Sequence, residues 1–224
     1  MPLQAVFFDF DGLILDTEWP EVETWRGIYR EHGHEFPDEV WKGTIGRGPE
    51  QEALRAETVL SKWCDVPAYE LEAEYQARRM RQILAQPVLP GIIDRLEEAR
   101  ALGLTVAAVS SSKRSWVEGH LQRLGLWDHF ERSFCADDVA RTKPFPDLYL
   151  LALGTLGVSA DAALVFEDSP NGISAAKAAG IKVIAVPNPL TKLLDLSAAD
   201  RIVDSLEQVS LQNLEPWNPR TLAP

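Results

Sequence analysis

Apolar and polar positions along this chain fall into two kinds of run, and the tightest comes first. After Gln4, residues 5–8 are apolar and rich in Val and Phe, the pattern of a strand covered on both faces of a parallel sheet, and the run closes on Asp9, Phe10, Asp11 and Gly12. Val22, Trp25, Ile28, Tyr29 and His32 then recur at helical spacing, after a Pro20 and a group of acids that suit a first turn. His32 is expected near the C-terminal end of that helix. Between 33 and 85 no strand-like run occurs, and 49–63 and 67–85 predict charged amphipathic helices. The second of these runs from Glu70, Glu72 and Glu74 to Arg78, Arg79 and Arg81, the order a helix dipole favours, and most of these charges read as a solvated face. Residues 86–91 have the composition of a linker. Beyond them, helices at 92–102, 115–124, 147–156 and 169–179 alternate with strands at 104–109, 132–136, 163–166 and 182–186, and a short strand near 201–203 follows. That alternation predicts an α/β fold, a doubly wound parallel sheet with helices on both faces.

Composition narrows the partners. A chain of 224 residues with a formal charge of -12 does not suit nucleic acid or an anionic membrane, each of which favours a basic face. An anionic small substrate stays open, because a bound metal and a few cations reverse the sign locally. Cys64 and Cys135 lack the spacing of a disulfide framework or a zinc site. The longest uncharged apolar-leaning run, 148–160, is too short to span a bilayer. With no basic leader before the first strand, a soluble protein in the cytoplasm is expected.

In a doubly wound sheet, ligands bind beyond the C-terminal strand ends, so the residues that end each strand carry the chemistry. The first strand ends in Asp9 and Asp11, whose side chains point the same way in an extended chain. Two carboxylates so close call for a cation or a shared proton, and Mg²⁺ suits them; by itself the motif reads equally as a polar turn. The next strand ends in Ser110, Ser111, Ser112 and Lys113, and the one at 163–166 in Glu167, Asp168 and Ser169; Lys143 and Pro144 precede the helix between. Together these groups could pass a phosphoryl group through a carboxylate. Asp9 is the candidate nucleophile and Asp11 the candidate acid and base. Asp168, with Glu167 beside it, supplies negative charge for Mg²⁺. Ser110 and the Ser111 backbone N–H can donate to phosphate, and Lys143 can neutralise both phosphate and Asp9. Ser112 is expected to cap the following helix, with Ser169 and Pro170 starting the later one. The glycine-flanked Arg47, in the loop 42–49, is a candidate for reading the substrate, or else an exposed arginine.

The set Asp9-Phe10-Asp11-Gly12, Ser110, Lys143-Pro144 and Glu167-Asp168-Ser169 resembles the four-motif signature of the haloacid dehalogenase superfamily. The run from Phe8 to Glu18 further resembles its branch with a small helical cap, which holds β-phosphoglucomutase and many small-molecule phosphatases. The resemblance implies a Rossmann-like core, 1–16 and 89–224, and a helical cap at 17–88. It also implies phosphorylation of Asp9, Mg²⁺ held by Asp9, the Asp11 carbonyl and Asp168, phosphate held by Ser110 and Lys143, and Asn171 supporting the site. Two departures weaken the mutase reading. Glu21 stands four residues before Trp25, where the mutase carries histidine, and the loop at 43–47 is longer. Asp11 also speaks against carbon–halogen hydrolysis. The expectation is a Mg²⁺-dependent phosphatase acting on a small phosphorylated metabolite, as a monomer or weak homodimer. A mutase-type phosphotransferase and a phospho-receiver module are the alternatives.

Overall fold

The computed structural model describes residues 2–37, 39–40 and 55–214. The chain divides into two compact units, one of Met1–Leu15 with Pro87–Pro224 and one of Asp16–Gln86.

In the first unit, six strands form one sheet, all pairings parallel: β1 (Ala5–Phe8), β2 (Thr105–Val109), β3 (Arg132–Phe134), β4 (Ala163–Glu167), β5 (Lys182–Ala185) and β6 (Arg201–Ile202). Their order, β3-β2-β1-β4-β5-β6, leaves β1 between β2 and β4, and the crossovers run opposite ways on its two sides. Every residue of β1 and β4 is buried, as their unbroken apolar runs require. Register sets the site: Phe8 lies opposite Ala108 and Phe166, so the C-terminal ends of three neighbouring strands lie side by side. The ladder continues one step further, with Asp9 N–H donating to Phe166 O at 3.0 Å and Ser110 N–H to Phe134 O at 2.9 Å.

Helices of this unit follow the expected order. With the helices of the second unit counted first as α1 (Trp19–Glu31), α2 (Ala56–Leu60) and α3 (Ala68–Ala85), they are α4 (Ile92–Ala101), α5 (Arg114–Arg123), α6 (Asp147–Leu156) and α7 (Pro170–Ala178). Apolar side chains of α6 and α7, including Leu148, Tyr149, Ile173 and Ala176, close over one face of the sheet with Phe7, Val109 and Val165. The strand expected at 132–136 stops at Phe134. Cys135 turns its N–H onto the Asp138 carboxylate at 2.8 Å and caps a 3-10 turn that begins at Ala136.

The second unit is helical among its described residues. Trp19 N–H donates to Asp16 Oδ1 at 2.9 Å, which starts α1, and His32 is its C-cap. Trp25, Ile28, Tyr29, Leu60, Leu71 and Tyr75 build its core. Trp25 stacks on Tyr75 with centroids 4.5 Å apart, and the Tyr29 hydroxyl donates to Ala56 O at 2.7 Å. Not all the charges of α3 face only water: Arg78 pairs with Glu31 at 2.7 Å and Arg79 with Glu21 at 2.6 Å. The helix expected at 49–63 is present only as α2, which ends at Leu60 and is followed by a turn at 61–63; residues 49–54 and the glycine-rich loop 42–49 lie outside the described residues. Among those residues no helix is long and apolar enough to cross a membrane.

Candidate active site

Asp9 is the first residue beyond β1 and is buried to 7 % exposure. Lys143 reaches it from the segment before α6, also buried: its Nζ donates to Asp9 Oδ1 at 2.5 Å, Glu167 Oε1 at 2.6 Å and Val109 O at 2.7 Å. The ammonium thereby ties together the ends of β1, β2 and β4. Burial by itself pulls Lys143 down, but the Asp9 and Glu167 carboxylates outweigh it and hold the group above the ordinary lysine range, fully charged. Asp9 is pushed well above the ordinary carboxylate range, first by burial and then by Glu167, with Lys143 opposing.

Both oxygens of Glu167 are engaged. Oε1 accepts from Lys143 and from the Tyr149 hydroxyl at 2.8 Å, and Oε2 accepts from Asp168 N–H at 3.2 Å and Ser169 Oγ at 3.4 Å. Burial and the Glu167 charge push the Tyr149 phenol well above its usual range, so it stays a donor. Gly172 lets this packing exist, because a Cβ there would fall 1.9 Å from Glu167 Oε1. Ser169 caps α7 as expected, accepting from Gly172 N–H at 3.2 Å.

Asp168 points toward the turn after β1. Asn188 Nδ2 donates to Asp168 Oδ2 at 2.8 Å, while Asn188 Oδ1 accepts from the N–H groups of Leu190 (2.8 Å) and Thr191 (3.0 Å), which fixes the amide's direction. Gly12 has φ +81°, and a Cβ on it would sit 2.2 Å from Asp168 Oδ2. Oxygens of Asp9, Glu167 and Asp168 lie within 4.8 Å of one another, all three residues buried. Lys143, itself buried, pairs with two of these three carboxylates, Asp9 and Glu167. Such hard oxygen donors with an excess of negative charge fit a divalent cation of the Mg²⁺ type.

Asp11 is held separately. Ser112 Oγ donates to its Oδ2 at 2.6 Å, Ser110 Oγ to the same oxygen at 3.3 Å, and Trp116 Nε1 to Oδ1 at 2.8 Å. Ser112 therefore does not cap α5, as its sequence position suggested. Lys113 is the N-cap and makes no side-chain cap bond, and Asp137 Oδ2 accepts the Arg114 N–H at 2.7 Å instead. Ser111 is exposed beside these serines, and Asn171 is half-buried on the first turn of α7. Arg47 lies outside the described residues.

The family model for haloacid dehalogenase-like hydrolases matches residues 6–186. The chain belongs to that family. Among relatives of this hydrolase, YhcW of Bacillus subtilis, provisionally named a phosphatase, is 42% identical over 93% of this chain and 94% of its own. The validoxylamine A 7'-phosphate phosphatase of Streptomyces hygroscopicus subsp. limoneus is 32% identical over 95% and 99%. Of solved structures, a Thermotoga maritima protein provisionally named a β-phosphoglucomutase superposes with TM-score 0.77, at 26% identity, covering 96% of this chain and 100% of that one. Like the relatives whose names say phosphatase, this hydrolase is a phosphoric monoester hydrolase.

Tyr149, Asn188, Trp116 and the Ser112–Asp11 contact belong to the site without standing out in the sequence. Asn188 carried a signal, since it follows the end of β5 on the ligand-binding edge of the sheet. Trp116 carried a weaker one, its place on the first turn of the helix after β2.

Proposed function

We propose that this hydrolase is a Mg²⁺-dependent phosphatase that cleaves a small phosphomonoester, a sugar phosphate or related metabolite, through phosphorylated Asp9, in the cytoplasm. The observation that carries the reading is Lys143 bridging Asp9 and Glu167 inside the buried acidic cluster with Asp168. A carboxylate so placed has a permanent counter-charge, and an incoming phosphate would meet the same ammonium.

Asp9 attacks phosphorus, the bond to the ester oxygen breaks, and Asp11 gives that oxygen its proton. Asp11 then takes a proton from water, whose oxygen attacks phosphorus, and the bond to Asp9 breaks to free phosphate. Asp9, Asp168 and the Asp11 carbonyl would hold Mg²⁺, which supplies positive charge against the phosphoryl oxygens. Ser110, the Ser111 N–H and Lys143 would hold phosphate, and Asn171 would support them. Glu167 acts through Lys143, because its two oxygens already accept four donors. The unit Asp16–Gln86 serves as the cap, with Arg47 reading the substrate.

The mutase alternative draws on the likeness to the Thermotoga protein, but Glu21, standing where the mutase carries histidine, is paired with Arg79 at 2.6 Å. Family membership leaves the receiver-module alternative without support. The test is a panel of phosphorylated metabolites assayed for released phosphate with Mg²⁺, for wild type and Asp9→Asn. The amide is nearly isosteric and a poor nucleophile, so the variant should fold and be inactive. Substantial Mg²⁺-dependent turnover by Asp9→Asn would sink the assignment. Formation of glucose 6-phosphate from β-glucose 1-phosphate and a bisphosphate activator, in place of free phosphate, would favour the mutase.

A further inference from the structure

We propose that Trp116 is a positioning residue for Asp11, setting the carboxylate in the plane from which it meets the ester oxygen; this rests on the acid–base reading of Asp11 given above. The indole Nε1–H lies 2.8 Å from Asp11 Oδ1, across 105 residues of sequence. An indole N–H donates and never accepts. Oδ1 is therefore committed as an acceptor, whereas Oδ2 faces two hydroxyls, Ser112 at 2.6 Å and Ser110 at 3.3 Å, which rotate and can serve as donor or acceptor. The carboxylate is gripped from both sides, with Oδ2 left as its exchange oxygen.

The grip is braced from behind. His120, one turn along α5, packs edge-on against Trp116 with ring centroids 4.3 Å apart. His120 is itself buried, accepts from Arg123 Nε at 3.2 Å, and stacks on Phe10 at 6.0 Å. Phe10 is the residue between the two aspartates. The order Phe10, His120, Trp116, Asp11 thus closes a ring of contacts that starts and ends in the Asp-x-Asp segment. A helix fixed against the middle residue of the motif delivers a donor to its last residue. Side-chain aim of that kind bears on rate because small misplacements of a reacting group are costly.

The test uses two esters of similar shape, phenyl phosphate and 2,4-dinitrophenyl phosphate, whose leaving groups differ widely in acidity. Phenolate needs a proton as it departs and dinitrophenolate does not, so a fault in the general acid shows on the first ester alone. The quantity read is kcat/KM, which reports phosphoryl transfer to Asp9. Trp116→Phe should lower it about tenfold or more on phenyl phosphate and leave dinitrophenyl phosphate nearly unchanged. Asp11→Asn should show the same selectivity more strongly, and the double variant should match Asp11→Asn, because Trp116 acts through that carboxylate. Replacing Trp116 with benzothienylalanine keeps the ring and removes the N–H, and it should reproduce the selective loss even if Trp116→Phe packs poorly. Equal loss on both esters, no loss on either, or full activity of the benzothienyl protein would overturn the proposal while Asp11→Asn remains selective. An Asp11→Asn protein without selectivity would instead remove the acid–base reading on which the proposal stands.

Discussion

Lys143 Nζ lies 2.6 Å from Glu167 Oε1, an oxygen that also accepts from the buried Tyr149 hydroxyl. The ammonium has little freedom there: one carboxylate anchors it and Asp9 receives it. Lys143→Met would leave Asp9 and Glu167 buried without their cation. Breaking a buried pair in this way typically costs about 3–5 kcal/mol, so the variant should melt well below wild type and be inactive. Glu167→Gln keeps the shape and should fold better, yet lose activity on every ester. Urea melts with parallel assays check both, and an active Lys143→Met protein would remove Lys143 from the chemistry.

Gly12 stands in the left-handed region, and a Cβ there would collide with Asp168. Gly12→Ala should lose at least about 1–2 kcal/mol from the backbone alone and should also displace Asp168. The expected signature is a lower melting temperature together with weaker Mg²⁺ binding by calorimetry. A variant with wild-type affinity would show that Asp168 tolerates the shift.

Burial and Glu167 raise the folded-state affinity of Asp9 for a proton above that of the unfolded chain, whose aspartates titrate near about 3.9. Between those two values the folded protein keeps a proton that the unfolded chain has released. The stabilisation is therefore complete below the unfolded value and is lost as pH rises through the folded one. In chelator-treated protein, stability should fall with rising pH across this window. Asp9→Asn cannot ionise, so its slope should be flatter and its metal-free form more stable than wild type at neutral pH. Identical slopes in the two proteins would contradict this account of Asp9.

Mg²⁺ binding only to the folded state should raise its stability by about 2.7 kcal/mol at a hundred times the dissociation constant. Scanning fluorimetry with chelator and with Mg²⁺ should show that rise in wild type and none in Asp168→Asn. If chelator and Mg²⁺ give one melting temperature for wild type, the acidic cluster is not a metal site.

Asp11→Asn should still accept a phosphoryl group from an activated ester but release it slowly. General acid–base assistance is worth roughly 10²–10⁴-fold, enough for the phosphorylated protein to be visible by intact mass. Full-rate hydrolysis of ordinary esters by this variant would rule out the role.

The strand ends were readable because each follows an apolar run that shows in the local sequence, whatever strand it later pairs with. Asp9, Ser110, Glu167 and Asp168 stood out for that reason, Lys143 by its place with Pro144 before a helix, and helix limits agreed to within a residue or two for α4 through α7. What escaped depends on distance. Ser112 looks like a cap because it precedes a helix; its actual partner, Asp11, is 101 residues away. Tyr149 and Asn188 occupy the first turn of a helix and a loop, where nothing local says that the Glu167 and Asp168 carboxylates await their donors. The strand order, too, follows from packing between segments that the pattern alone treats as independent.

The central place of β1 also governs how the molecule comes into being. Ala5 finds Thr105 and Phe8 finds Phe166, so the strand carrying Asp9 is synthesised long before either of its neighbours exists. Until then Val6, Phe7 and Phe8 remain an apolar segment with no ladder to join. Closing pairings this remote slows folding, and the waiting segment is where a growing or refolding chain is most exposed to aggregation. The carboxylate cluster can therefore assemble only after β4 has been made, so on the proposed reading any affinity for Mg²⁺ is gained late in folding.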